Sequence, residues 1–158
     1  MSEFGCGCPG SATMDLRRAE DPVDEATTTK APSQLRQWPI QLHLVSPQAP
    51  YFQGADVVLA ADCTAFALGA FHNDYLKGRS LAIACPKLDQ GLDVYVQKLT
   101  ALVEDARINT LTVVMMQVPC CRGLLALASE AVAESSRKIP VKAVVVGLQG
   151  EILSEEWV

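Results

Sequence analysis

The chain has 158 residues, 49% of them hydrophobic and 20% charged, a composition that fits one globular domain with an extra segment. Its net charge of −5 and pI of about 5.0 argue against a phosphate-backbone partner, because no basic patch stands out. No apolar run approaches the roughly 20 residues of a membrane span, and Met1-Ser2-Glu3 does not open a basic, then apolar leader; these features predict a cytoplasmic protein.

Residues 1–34 read as a flexible tail. Gly5, Gly7, Pro9 and Gly10 break regular structure, and Arg17 to Lys30 is charged, Thr-rich and poor in large apolar side chains. The tail carries Cys6-Gly7-Cys8, a Cys-x-Cys pair able to chelate a soft metal ion or simply two exposed thiols. A single domain is expected over 35–158.

Ile40, Leu42 and Leu44 alternate with Gln41 and His43, the period of a half-buried strand. Ser46 to Gly54 holds two prolines and reads as a loop. From Ala55 the pattern becomes regular. The spacing predicts strands at 57–62, 80–85, 110–118 and 141–147, with a short final strand near Ile152. Helices are predicted at 64–77, 92–107 and 122–137. The second is the clearest, with Leu92, Tyr95, Val96, Leu99, Leu102, Val103 and Ala106 on one stripe. Strands that alternate with helices and are apolar on both sides predict an α/β domain. Its sheet should be doubly wound, mostly parallel and three-layered, of the Rossmann or flavodoxin kind.

Three strands end in cysteine: the first in Asp62-Cys63, the second in Cys85, the third in Cys120-Cys121. Sites in open α/β sheets form outside the carboxyl ends of strands, where strand order reverses. With the 57–62 strand in the middle, Cys63 stands between Cys85 and the Cys120-Cys121 pair. Six cysteines in a chain read as cytoplasmic favour metal or redox chemistry over a disulfide framework. Each strand-end cysteine also lies just before a predicted helix or in the loop leading to it, and helix N-termini lower thiol pKa. The expected ligands are Cys63, Cys85, Cys120 and Cys121, with Asp62, Lys87, Asp89, Cys6 and Cys8 as accessory candidates. Capping of loops and helices is the plainer role for Asp62 and Asp89. His72 is set aside, because a helix from Thr64 carries it roughly 12 Å along the axis. His43 falls on the polar side of its strand.

Neither the Cys-x2-Cys pairs of zinc ribbons nor the cysteine run of bacterial ferredoxins is present. Three readings follow. The first is a thiolate metal protein holding an iron–sulfur cluster, of the 4Fe–4S kind, in redox or cluster-related metabolism with a redox partner protein. The second is an enzyme using zinc or an open cluster iron as a Lewis acid, assisted by Asp62 or Lys87. The third is a binding module without metal, whose cysteines are core residues.

Several motifs carry a resemblance across most of the chain: Gly5-Cys6-Gly7-Cys8-Pro9-Gly10-Ser11, Ser33 to Pro39, Ala61-Asp62-Cys63, Cys85-Pro86-Lys87-Leu88-Asp89 and Val118-Pro119-Cys120-Cys121. They resemble small bacterial and archaeal proteins commonly labelled iron–sulfur cluster-binding or ferredoxin-like. Members usually carry Gly where Arg122 stands. The resemblance implies a redox-active cluster protein.

Overall fold

The computed structural model describes residues 14–16 and 30–158. Strand β1 runs Asp56–Ala61, β2 Ser80–Ala84, β3 Thr110–Met116, β4 Val141–Val146 and β5 Ile152–Trp157. They form one sheet in the order β2-β1-β3-β4-β5. The first four are parallel, and β5 returns antiparallel on β4. The strand that ends before Asp62-Cys63 is therefore the middle one of the three that end in cysteine, as its sequence predicts. Val57 to Ala61 are all buried, which explains a strand apolar on both sides. Register then sets the site: Ala61 pairs with Ala84, and Ala60 with Val114, so all three strand ends emerge on one edge.

Helices α2 (Leu92–Glu104) and α3 (Arg122–Glu134) pack side by side. The α2 stripe buries Tyr95, Val96, Leu99, Leu102 and Val103, each worth about 1.5–3 kcal/mol for its aliphatic or aromatic body. Helix α3 ends at Glu134, three residues before the predicted stop. Ser135 is extended there, and Lys138 Nζ donates to the carbonyls of Val132, Ala133 and Ser135, satisfying acceptors the helix leaves open.

Two predicted elements are corrected. The 64–77 helix is broken. Helix α1 covers only Thr64–Ala67, Leu68 is extended, and a π-helical turn follows at His72–Leu76. The break falls at Leu68-Gly69, next to the residue of lowest helix propensity in the stretch. His72 Nδ1 accepts from the Gln34 backbone N–H at 3.0 Å, so the ring anchors the incoming chain. The predicted strand at Ile40–Leu44 shrinks to a single bridge, Gln41 to Ile83. Beyond it the chain turns, with Leu44 and Val45 N–H both donating to the Gln41 carbonyl. Lys98 Nζ gathers the carbonyls of Leu42, His43 and Val45 at 3.0, 2.7 and 2.9 Å, and three such bonds outweigh a five-residue alternation. Leu42 is buried, whereas Leu44 points to solvent.

This segment also covers the outer edge of β2. The Gln37 side chain bonds Leu81 both ways: its Nε2 donates to the carbonyl at 2.8 Å, and its Oε1 accepts from the N–H at 2.7 Å. At the far end, Gly150 has φ +86°, and a Cβ there would lie 2.5 Å from the Ala67 carbonyl oxygen. The β4–β5 turn thus sits against α1. Gly150→Ala is expected to lower stability by about 1–3 kcal/mol, from backbone strain and this clash, read by denaturant unfolding. A loss under about 0.5 kcal/mol would show that the turn relaxes freely.

Candidate functional site

Each strand end delivers its cysteine differently. Cys63 follows β1 and is the residue before α1. Cys85 follows β2 directly. Cys120 and Cys121 lie in a one-turn 3-10 helix, Pro119–Cys121, that leads into α3. All four line one cavity of about 300 Å³, together with Asp62 and Lys87. They are free thiols: Cys63 is exposed, Cys85 and Cys120 are half-buried, and Cys121 is buried. The structure thus brings together the four cysteines and two of the accessory candidates. Cys6 and Cys8 lie outside the described residues.

Asp89 stands behind the cavity and organises it. Its Oδ2 accepts from the Cys85 N–H at 2.9 Å, from Gln41 Nε2 at 3.2 Å, and from the Tyr95 hydroxyl. The Cys85–Asp89 loop is therefore closed by its own carboxylate. Asp89 does not cap α2, which starts from a left-handed Gly91 without a side-chain cap. His43 packs on Tyr95, with ring centroids 4.2 Å apart, and its Nε2 lies 2.6 Å from the Gln90 carbonyl. On the other flank, a Cβ at Gly123 would come within 3.1 Å of Pro86 Cβ. The first turn of α3 and the Cys85 loop are that closely packed.

The electrostatics correct one expectation. Helix N-termini do not lower the Cys63 and Cys121 thiols. Burial pushes the Cys63 thiol up, and Cys85, Asp62 and Cys120 add to the rise. Burial likewise pushes Cys121 up to about 11, although a backbone hydrogen bond with Met116 acts the other way. Helix α1 is a single turn and lends little dipole, while at α3 desolvation wins. Burial and then Asp89 raise the Asp62 carboxyl. The edge therefore resists negative charge. Among the described residues, no group of three or more His, Cys, Asp or Glu side chains is arranged to hold a metal ion. The cysteines share a cavity without forming a ready cage.

These shifts predict reactivity. In the metal-free protein, alkylation of Cys63 by iodoacetamide should rise with pH later than that of an ordinary thiol of pKa about 8.5. Asp62→Asn removes a charge that disfavours the thiolate, so it should speed Cys63 alkylation at fixed pH. Peptide mass spectrometry reads both effects. An unchanged rate in Asp62→Asn would remove Asp62 as a cause.

Three contributors escaped the sequence reading. Met14 lines the cavity, and nothing in its surroundings in the sequence signals it. Tyr95 sat on an apolar stripe, although a buried hydroxyl asks for a partner. The Gly123–Pro86 contact joins residues far apart in sequence. A larger groove of about 740 Å³ lies at the opposite, amino end of the strands, lined by Asp56, Thr110, Lys142, Glu155 and Trp157 among others. Its charges are already engaged: Lys142 pairs with Glu155 at 3.1 Å, and the Tyr75 hydroxyl donates to Glu155 at 2.9 Å.

Among known proteins, the chain is similar to an uncharacterized protein of Archaeoglobus fulgidus. The two are 28% identical over 120 residues, covering 75% of this chain and 83% of that protein. No solved structure matches. The family model that matches is a Rossmann-like domain, over residues 49–158. The expected membership among iron–sulfur or ferredoxin-like proteins is thereby corrected, since neither match carries that description. Short cysteine motifs suggested that membership, whereas the match covers residues 49–158 as a Rossmann-like domain. By that match, which spans more than half of its length, the chain belongs to the Rossmann-like domain family.

Proposed function

We propose that the chain binds an iron–sulfur cluster, of the 4Fe–4S kind, at the carboxyl edge of its sheet. Cys63, Cys85, Cys120 and Cys121 are the ligands, and the work is redox or cluster-related metabolism with a protein partner. The carrying observation is that four cysteines from three separate strand ends line one cavity at the point where strand order reverses. The donor chemistry fits: thiolates are soft ligands suited to iron–sulfur clusters and zinc. Burial disfavours the thiolates of Cys63 and Cys121, which gives a bound cation a reason to be there. Their lack of a ready cage means that the side chains converge only on binding. Bound iron would supply one-electron chemistry, and the chain's part is to hold it and limit solvent access. Leu88, on the cavity wall yet 77% exposed, offers an apolar contact for a partner.

Zinc is the second reading, favoured by Asp62 and Lys87 on the same cavity wall, where they would act as acid–base groups. Among the described residues, no helix is long and apolar enough to cross a membrane.

Anaerobic reconstitution with ferrous iron and sulfide tests the proposal. A brown protein with about four irons per chain supports it. A colourless protein purified with about one zinc favours the second reading. A fully stable chain that takes up neither metal sinks both and leaves the cysteines as wall residues of an organic-ligand cavity.

A further inference from the structure

The groove of about 740 Å³ at the amino end of the strands is built by register. Thr112 pairs with Lys142, and Lys142 with Trp157. Paired residues share a face of the sheet, so hydroxyl, ammonium and indole stand in one row across β3, β4 and β5. Asp56 and Thr110 form a second pair nearer the strand starts.

The ions of this groove are satisfied against their neighbours. Lys142 Nζ lies 3.1 Å from Glu155 Oε1 and 5.7 Å from the centre of the Trp157 ring, and the Tyr75 hydroxyl donates to the same Glu155 oxygen. Asp56 Oδ1 accepts from the Thr110 hydroxyl at 2.8 Å. Arg79 Nη1 donates to the Asp74 and Tyr75 carbonyls at 3.2 and 2.8 Å. Further donors on Arg79 and Lys142, and the second carboxylate oxygens of Asp56 and Glu155, still face the groove's lining. One buried group stands apart. The hydroxyls of Thr64, Ser80 and Ser135 each donate to a backbone carbonyl. Thr112 is only 6% exposed and lines the groove, yet its hydroxyl has no partner among the described residues.

We propose that this groove binds a neutral, polyhydroxylated ring, the chemistry shared by a sugar and by the ribose of a nucleoside. A ligand of either charge would meet its own sign, because Asp56, Asp74 and Glu155 line the groove together with Arg79 and Lys142. Ring hydroxyls donate and accept at once, which suits a lining of mixed donors and acceptors. The Thr112 hydroxyl meets one of them at the floor. Trp157, 63% exposed, offers the platform on which the apolar face of a sugar, or a base, is laid. The site lies at the opposite end of the strands from the cysteines and stands whether or not they hold metal.

Saturation-transfer NMR on the full chain tests this, with methyl glucoside, methyl riboside and uridine as separate probes. Transfer to the ring protons of at least one is expected, with an affinity that changes little between low and high salt. Transfer to a simple glycoside assigns a sugar as the ligand, and transfer to uridine alone assigns a nucleoside. Transfer to none of the three overturns the proposal, as does an affinity that collapses in high salt. Thr112→Val removes the unpaired hydroxyl and keeps the branched shape. It should weaken binding about threefold to tenfold while the denaturant midpoint stays in place. Trp157→Ala should weaken binding by about tenfold or more. Unchanged affinity in a folded Thr112→Val protein overturns the placement of the ligand in this groove.

Discussion

Cys63→Ser is expected to reduce cluster incorporation to background while leaving the domain folded. Cys63 is exposed, so its loss should change stability by less than about 0.5 kcal/mol. Its position is the reason for the large effect on binding. It leaves the middle strand, and its electrostatic neighbours include Cys85 on one side and Cys120 on the other. A ligand bridging the two outer strand ends has to pass it. Serine keeps the shape but offers a hard, weakly acidic oxygen in place of a soft thiolate. Iron and sulfide analysis after anaerobic reconstitution gives the readout, with thermal unfolding as the control. Full occupancy in a folded Cys63→Ser protein would move the centre away from the middle strand.

Asp89→Ala should be the most damaging single change near the site, at about 2–4 kcal/mol by denaturant unfolding. One carboxylate oxygen holds the Cys85 N–H, the Gln41 amide and the hydroxyl of the fully buried Tyr95. Alanine leaves the Cys85 N–H and the Tyr95 hydroxyl without this acceptor, while the Gln41 amide keeps only its 2.9 Å bond to the Tyr95 oxygen; bonds to a charged group are the costly ones to lose. Asp89→Asn keeps an acceptor of the same shape and should lose about half as much. The Cys85 loop should loosen in both variants, so metal affinity should fall in the same order. A loss below about 1 kcal/mol for Asp89→Ala would mean that water replaces the carboxylate readily.

The legibility of this chain followed contact range. The runs Val57–Ala61 and Thr110–Met116 are buried on both faces, so their composition alone marks central strands. The α2 stripe likewise reports one face buried in the core. Elements decided by a single remote group were opaque. Whether Ile40–Leu44 becomes a strand or a turn depends on Lys98, more than fifty residues away, collecting three carbonyls. The helix after Cys63 breaks where its local pattern is still apolar at helical spacing. The convergence of the cysteines was legible because strand ends in a parallel sheet share an edge by construction. The ionisation of the thiols was not, since burial and neighbouring charge arise only in three dimensions.

The segment that covers β2 has a consequence for how copies of this domain behave in a crowded solution. Strand edges are templates for further strands unless something occupies their donors and acceptors. On the β2 side, the Gln37 amide imitates a peptide group toward Leu81, and Ile40 and Leu42 take up the N–H and carbonyl of Ile83. The sheet cannot grow there without first peeling this segment away. On the β5 side, only β4 is bonded among the described residues, and the outer row of Ile152–Trp157 is open. The sheet is thus a ribbon with one sealed margin and one live margin. Glu156 puts an exposed carboxylate on the live one, on the face opposite the Lys142-paired Glu155, so that like edges meeting there bring like charges together.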